Sequence, residues 1–462
     1  MMNPETNRNK NKEVAVIGGG IIGLCSAYYL HKAGRSVVVV DKGEIGKACS
    51  FGNAGYITPS HFVPLAAPGM IQKGLKWMLN PQSPFFVRPS LNLDFLLWLW
   101  SFAKKCTKQH TLNTQEAILD INLKSLALYE ELHNEEDLEF QFYQKGLLML
   151  YKTEKELKEE AETVKQANRL GLNAKMLSPS ELKCLEPNID FDVIGAAHYP
   201  EDAHIAPYEL LNSLRVYLET RGVEFIEHAE ITSFNTDSLT SPSGDNTADK
   251  NRPRKLVSAG YTKGSEKGNI EADEFILANG AWSGQTAASL GLKIPVQAGK
   301  GISITLSNDP DNKCAPATFD CRTPFILSEA KVAVTPFNNE IRFGGTMELG
   351  VLANQERRGI SQNRIKGLLK SAGRYLPAFR ADSIDQSLFW SGFRPCSPDG
   401  LPIIGRCHPY TNLTVSTGHA MMGLSLGPIS GKLVSEIITG SKTSVNLGPF
   451  DPNRFHSEGK IA

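Results

Sequence analysis

Four consecutive apolar residues running straight into a glycine turn place the tightest limit on this chain. Val14-Ala15-Val16-Ile17 is short enough for a buried strand, and it breaks into Gly18-Gly19-Gly20-Ile21-Ile22-Gly23 before a helical stretch to His31. Gly34 supplies the helix stop, and Val37-Val38-Val39-Val40 is a second buried strand ending at Asp41. Both strands are continuously apolar rather than alternating, as in a parallel sheet covered on both faces. Strand, glycine turn, helix and a second strand ending in an acid form a dinucleotide-binding arrangement. Gly18 permits the tight turn, Gly20 lets backbone N–H groups approach a pyrophosphate, and Gly23 lets the helix pack against the strand. The helix N-terminus, at Ile21 and Ile22, favours phosphate charge. Asp41 is expected to accept hydrogen bonds from the ribose hydroxyls, and an acid there disfavours NADP. The motif alone does not separate FAD from NAD.

The remainder of the 462 residues must supply the partner chemistry, and that length favours two or three domain-sized units with ample core. Lys+Arg and Asp+Glu are both 49, so bulk charge does not suit the chain to coating nucleic acid, although a local basic groove would survive this test. The eight cysteines are scattered without a C-x-x-C pair, so neither a zinc ribbon nor a dithiol redox motif is encoded, and no metal site is expected. Residues 1–12 lack the apolar core of a secretory signal, and no window reaches the ~18 apolar residues of a membrane span. The expected setting is the reducing cytoplasm, with free thiols.

Along the chain, residues 60–110 are rich in proline and aromatics and then helical. Residues 115–185 read as helices around one strand at 146–151, a helix follows Pro207, and Val223–Ile231 is strand-like. Residues 235–270 are polar and Gly/Ser/Asp-rich, the pattern of an exposed loop or hairpin excursion. Phe275-Ile276-Leu277-Ala278 returns as a buried strand, and strand-like runs recur at 301–306, 332–336 and 341–345. Leu413–Ser416 leads through Gly418-His419 into a helix whose Leu426, Ile429, Leu433, Val434 and Ile437 share one face. After Gly440 the tail is polar.

Several further segments resemble the FAD-dependent amine oxidoreductases of the D-amino-acid oxidase superfamily, and within it the D-amino-acid dehydrogenases. They are Ser50-Phe51-Gly52-Asn53-Ala54-Gly55-Tyr56-Ile57-Thr58-Pro59, then Pro64-Leu65-Ala66-Ala67-Pro68-Gly69, and Leu277-Ala278-Asn279-Gly280-Ala281-Trp282-Ser283. Lys300-Gly301-Ile302-Ser303, Gly344-Gly345-Thr346-Met347-Glu348, Trp390-Ser391-Gly392-Phe393-Arg394-Pro395 and Pro398-Asp399-Gly400-Leu401-Pro402 complete them, with Gly418-His419 last. In order and spacing the likeness covers nearly the whole chain apart from 235–270.

The resemblance implies an α/β fold: a Rossmann-like FAD-binding domain interleaved with an α+β substrate domain holding a mostly antiparallel sheet. The expected FAD-binding segments are 12–90, 190–290 and 390–440, the substrate segments 91–189 and 291–389, and the tail 441–462. Cofactor contacts are expected from Gly18, Gly20, Ile21, Ile22, Gly23, Asp41, Lys42, Ser50, Asn53, Ala54, Gly55, Ile57, Ile231, Asn279, Gly280, Trp282, Gly392, Gly418, His419, Met422, Gly423 and Leu424. Met422-Gly423-Leu424 is expected to form the first turn of a helix opened by Gly418-His419, with its N–H groups toward negative flavin charge. In the family the arginine of G-x-R-P holds the substrate carboxylate. Here that residue is Arg394, whose planar guanidinium suits a two-bond clamp. Lys300 and His419 are further catalytic candidates near the ring, Tyr56 is a substrate-binding candidate, and Tyr199 and His204 are possible pocket walls.

Two departures from the dehydrogenases bear on substrate choice. Ile302 stands where they often carry Tyr, and Gly418-His419-Ala420-Met421-Met422 replaces a more polar loop. Cys396 is out of place for the attachment cysteine of sarcosine oxidases, so FAD is expected to be non-covalent. The implied reaction moves a hydride from the Cα of a D-amino acid, D-proline or hydroxy-D-proline included, to flavin N5. Electrons would pass to a quinone or other acceptor. Leu91–Ala103 followed by Lys104-Lys105 is either a core helix of the substrate domain or an interfacial helix, with Trp98 and Trp100 at the inner face of the membrane. The rival readings are an oxygen-using glycine, sarcosine or proline-type oxidase and a flavin-binding protein without turnover, for which Arg394 is unnecessary.

Overall fold

The computed structural model describes residues 12–78, 80, 82–237, 253–307, 320–351, 359–381 and 384–455. Its first sheet has eight strands with Lys12–Ile17 inside it, parallel to Val37–Val40 on one side and to the end of Glu266–Leu277 on the other. Glu224–Ile226 extends the parallel order beyond Val37–Val40. Leu413–Thr417 extends it past Leu277, and Ile403–Arg406 closes that edge antiparallel. Alternate residues go to opposite sides. Val14, Val16, Val37 and Val39 pack under the helices, whereas Ala15, Ile17, Val38 and Val40 pack with Leu256, Ala259 and Ile270. That double burial explains why the strand runs are apolar throughout.

The layer on the second side comes from a segment expected to be an exposed loop or hairpin excursion; its strands do pair antiparallel, but they pack on the sheet. Residues 235–270 instead supply most of a three-stranded antiparallel meander, Glu230–Asp237, Lys255–Lys263 and the first half of Glu266–Leu277. Only scattered positions such as Leu256, Ala259 and Ile270 face inward, so the polar outer residues dominate the composition. The most loop-like part, 238–252, lies outside the described residues.

The second sheet has nine strands and is mostly antiparallel. Its order runs Trp390–Cys396, Gln297–Ser307, Glu340–Leu349, Val332–Phe337, Phe325–Leu327, Leu147–Tyr151, Gly195–Tyr199, Lys175–Leu177, with Phe85–Val87 alongside Met347–Leu349. It therefore takes Phe85–Val87, Gly195–Tyr199 and Trp390–Cys396 from the segments 12–90, 190–290 and 390–440 that were expected to form the FAD-binding domain. The fold is α/β, a dinucleotide-binding half interleaved with a half built on an antiparallel sheet. The long helix Lys108–His133 ties the C-terminal segment down: Ser125 Oγ donates to the Ser425 carbonyl at 2.6 Å and Tyr129 Oη to the Leu424 carbonyl at 2.6 Å.

Helix Leu93–Lys105 buries Phe95, Trp98 and Phe102 and turns Leu93, Leu96, Leu97 and Trp100 outward. Trp98 is thus not at an outer boundary. Its indole N–H donates to the Cys396 carbonyl at 3.1 Å, and its ring stacks on Phe102. The i, i+3, i+7 spacing of 95, 98 and 102 makes the inward stripe, which separates the two tryptophans. Among the described residues no helix is long and apolar enough to cross a membrane, and no cluster of side chains is arranged to hold a metal.

Candidate active site

A cavity of about 1450 Å³ is lined by residues from both sheets. Its wall includes the expected Gly18, Gly20, Ile21, Ile22, Asp41, Lys42, Ser50, Asn53, Ala54, Tyr56, Ile231, Asn279, Gly280, Trp282, Gly392, Arg394, His419, Met422, Gly423 and Leu424. The glycine turn is shaped as its sequence requires. Gly18 has φ +113°, and a Cβ there would lie 2.5 Å from the Ala278 carbonyl oxygen. A Cβ on Gly23 would collide with the Gly18 carbonyl, so Gly23 serves packing behind the wall rather than contact with the cavity. Asp41 accepts from the Gly19 N–H at 2.7 Å through Oδ2 and from the Gly43 N–H at 2.8 Å through Oδ1. Each carboxylate oxygen takes one amide, which leaves acceptor capacity for a ribose. Ser50 Oγ accepts from the Ile21 N–H at 3.1 Å and so fastens the next segment to the helix start.

That segment, 50–55, is held from behind by residues that sequence reasoning did not single out. Arg342 donates to the carbonyls of Phe51 at 2.9 Å and Asn53 at 2.7 Å. Ser303 Oγ donates to the Gly52 carbonyl at 3.0 Å and Thr335 Oγ1 to the Ala54 carbonyl at 2.6 Å. Burial pushes the Arg342 guanidinium down to about 10, still charged at neutral pH. The only hint in the sequence was an arginine inside the apolar strand run 341–345. Gly55 (φ +84°) packs under the Ile205 carbonyl and Ile57 is fully buried, so neither lines the cavity.

Arg394 enters the cavity from Trp390–Cys396. Its strand pairs with Gln297–Ser307 in a register that sets Gly299 opposite Arg394 and Gly301 opposite Gly392. The guanidinium lies over Gly301, where a Cβ would collide with it. Nη1 donates to the Thr346 carbonyl at 2.7 Å, at a residue whose φ is +60°. Among the described residues no carboxylate pairs with Arg394. Burial draws its pKa below the ordinary arginine value. A cation so placed is suited to an incoming anion.

His419 borders the cavity as a neutral imidazole, its pKa held down to about 3 by burial, with Nε2 at 2.9 Å from Ser430 Oγ. The helix expected to open at Gly418-His419 starts later, at Gly427. Pro428 fixes the start, because proline suits only the first turn. Met422, Gly423 and Leu424 therefore form turns ahead of the helix. Gly418, with φ +76°, shapes the chain without lining the cavity.

The remaining candidates are elsewhere. Lys300 is not on the cavity wall; its Nζ donates to the Gly359 carbonyl at 3.2 Å, and it sits opposite Glu348 in the sheet. Strand alternation puts it on the opposite face from Gly301 and Arg394. Tyr199 and His204 are buried off the wall, with His204 stacked on Tyr143. Tyr56 contributes its ring alone. Its hydroxyl donates toward the Phe325 and Val334 carbonyls, at 2.8 and 3.0 Å, and accepts from the Val334 N–H at 2.9 Å. Sequence reasoning also passed over His61, Met149, Ile326 and Lys331, which do line the cavity, because no local motif marks them; Trp390, in a quoted segment but given no role, lines it too.

A flavin dinucleotide fits this wall. Three buried polar atoms on wall residues, Trp282 Nε1, Ser416 Oγ and His419 Nδ1, have no hydrogen-bond partner among the described residues. Such groups mark a surface made for a polar ligand. The glycine turn offers backbone N–H groups and a helix N-terminus to a pyrophosphate, and Asp41 offers acceptors to a ribose.

Fold and cavity together define a dinucleotide-binding protein. The chain belongs to the FAD dependent oxidoreductase (DAO) family, whose model matches residues 13–437. It is 29% identical over 453 residues to a D-amino acid dehydrogenase of Neisseria meningitidis, covering 96% of this chain and 100% of the relative. It is 30% identical over 449 residues to a D-amino acid dehydrogenase of Granulibacter bethesdensis, covering 94% and 97%. Among solved structures, a glycine oxidase from Geobacillus kaustophilus superposes with TM-score 0.71 at 22% identity, over 96% of this chain and 99% of that one. An L-proline dehydrogenase from P. horikoshii superposes with TM-score 0.70 at 21% identity, over 97% and 99%. At those identities the solved structures speak to the fold.

Proposed function

We propose that this chain oxidises D-amino acids, D-proline and hydroxy-D-proline among them, with non-covalently held FAD and a quinone-type electron acceptor. The observation that carries the reading is Arg394, a guanidinium turned into the cavity with no carboxylate paired to it among the described residues. Bound FAD would supply the hydride acceptor for the substrate Cα–H. Arg394 would clamp the carboxylate through two parallel bonds and so fix which way the Cα faces. Tyr56, Met149 and Ile326 would enclose the side chain in an apolar wall that excludes water. The dehydrogenase relatives support an amino-acid donor and an acceptor other than oxygen.

Anaerobic bleaching of the flavin across D- and L-amino acids, D-proline, hydroxyprolines, glycine and sarcosine tests the substrate class. Arg394→Ala should remain yellow and lose bleaching by D-amino acids; bleaching at the wild-type rate would remove the carboxylate role. Acid precipitation should release all the flavin. Reoxidation by quinone without stoichiometric peroxide separates this reading from an oxidase.

The acceptor reading is joined to a peripheral membrane contact. Leu93, Leu96, Leu97 and Trp100 are exposed on one helix, and Lys104 and Lys105 end it. An apolar face flanked by cations suits an anionic bilayer surface. Flotation with anionic liposomes tests this, and protein staying wholly in the soluble fraction would count against it.

A further inference from the structure

Behind the cavity wall lies a buried acid that this chemistry has not yet used. Asp202 is 1% exposed. The Ser60 N–H donates to its Oδ1 at 3.0 Å, and Ser60 Oγ shares a short hydrogen bond with its Oδ2. Ser60 Oγ also lies 3.2 Å from His61 Nδ1, and His61 lines the cavity. The two ends are held together by sheet pairing, because Ala203–Ile205, directly after Asp202, runs antiparallel to Tyr56–Ile57. A hydrogen-bonded chain therefore leads from the cavity wall to an enclosed carboxyl.

We propose that His61, Ser60 and Asp202 form a proton relay that takes the proton from the substrate's ammonium group and holds it on Asp202. The relay rests on the amine-oxidation reading above. Hydride loss from Cα needs the nitrogen lone pair, so an ammonium substrate must first lose a proton. His61 Nε2 accepts it, the Nδ1 proton passes to Ser60 Oγ, and the Ser60 hydroxyl proton passes to Asp202 Oδ2. Ammonium becomes amine and carboxylate becomes carboxylic acid. The imidazole ends neutral, with its proton on the other nitrogen, and the chain runs back when product leaves.

The surroundings favour this division of labour. Burial, aided by Lys331, holds His61 down to about 4, so it resists becoming imidazolium and serves best as a neutral shuttle. Lys331 is itself paired with Glu156 at 3.1 Å. Burial raises Asp202 to about 8, with Glu201 adding to the rise and the two Ser60 bonds opposing it. Tyr199 also faces Asp202, and Glu160 faces Tyr199. An acid raised this far binds a proton better than an ordinary carboxylate and is a closer match for an ammonium donor. Asp202 touches no substrate and acts through Ser60 and His61.

The test is the rate of anaerobic flavin reduction against pH, using a D-amino acid that bleaches the wild type. Wild type should lose rate as pH falls through about 8, where Asp202 becomes protonated and stops accepting. Asp202→Asn and Ser60→Ala should both lose that limb and follow the substrate's own ammonium instead, about 100-fold slower at neutral pH. Ser60→Ala leaves both ends of the chain in place and decides the matter where Asp202→Asn does not fold. Infrared difference spectra of the substrate-free holoenzyme, wild type minus Asp202→Asn, should show a protonated carboxyl band at acidic pH that fades through the same ionisation. An unchanged profile in a folded, yellow variant, or a missing band, overturns the relay alone. Failure of every amino acid to bleach the wild type overturns the substrate reading and the relay with it.

Discussion

Arg394 keeps its place because residue 301 has no side chain. A methyl on Gly301 would occupy the space of the guanidinium while leaving the glycine turn at 18–23 untouched. Gly301→Ala should therefore retain FAD and weaken the amino acid. A tenfold to hundredfold rise in KM, about 1.4 to 2.7 kcal/mol, is the expected loss for a displaced clamp. Steady-state kinetics beside flavin content per chain measure it, and an unchanged KM would show that the carboxylate is held elsewhere. Glu160 makes a second residue-scale prediction. Burial raises it to about 7, with Lys331 opposing and Glu156 adding to the rise. An acid whose folded pKa is raised destabilises the fold once pH exceeds its unfolded value, and does so fully above the folded one. Glu160→Gln should stabilise the protein by up to about 3 kcal/mol above pH 7, with the gain shrinking as pH falls toward the ordinary glutamate value. Denaturation curves across that range check it, and a gain independent of pH would exclude the ionisation as its cause.

At the scale of elements, helix Leu93–Lys105 turns two tryptophans two residues apart to different fates. Trp98→Ala empties a packed site beside Phe102 and Cys396 and should cost about 3–5 kcal/mol, read as a lower melting midpoint. Trp100→Ser, with Leu96→Ser and Leu97→Ser, should leave the midpoint nearly unchanged and reduce liposome flotation. Loss of flotation in the Trp98 variant alone would reverse the assignment. Periodicity in the sequence carried this stripe but did not say which side was covered, since the covering partner, Cys396, is about three hundred positions away. The same limit moved the C-terminal helix. Gly418-His419 resembles a helix opening, yet Pro428 sets the start at Gly427, and tertiary bonds from Ser125 and Tyr129 hold the turns before it. The first strand, turn and helix were legible because their marks are local, continuous apolar runs and glycines whose backbone shape admits no side chain, although their partners are distant. The meander at 230–271 was not, since its strands bury only a few residues each and face outward for the rest.

At the scale of the molecule, the cavity exists because two sheets built from interleaved segments share a wall. The motifs at 18–23, 50–55, 279–282 and 392–394 could be found in the sequence, since each has a local backbone or charge requirement. Arg342 could not, because its task is to join halves that only the fold brings together: its strand belongs to the second sheet and its bonds end on the carbonyls of Phe51 and Asn53. This joint predicts a link between cofactor and stability. A ligand that binds only the folded state at 100 times its Kd adds about 2.7 kcal/mol, so the melting midpoint of the apoprotein should climb steadily as FAD is added. Arg342→Met keeps the length of the side chain but removes both donors to the 50–55 segment. In that variant the same FAD concentrations should raise the midpoint far less, while the flavin-free midpoint falls by the smaller amount expected for losing hydrogen bonds from a charged group. Thermal unfolding at graded FAD measures both quantities. An equal FAD-induced rise in the two proteins would mean that the segment keeps its shape without the second sheet behind it.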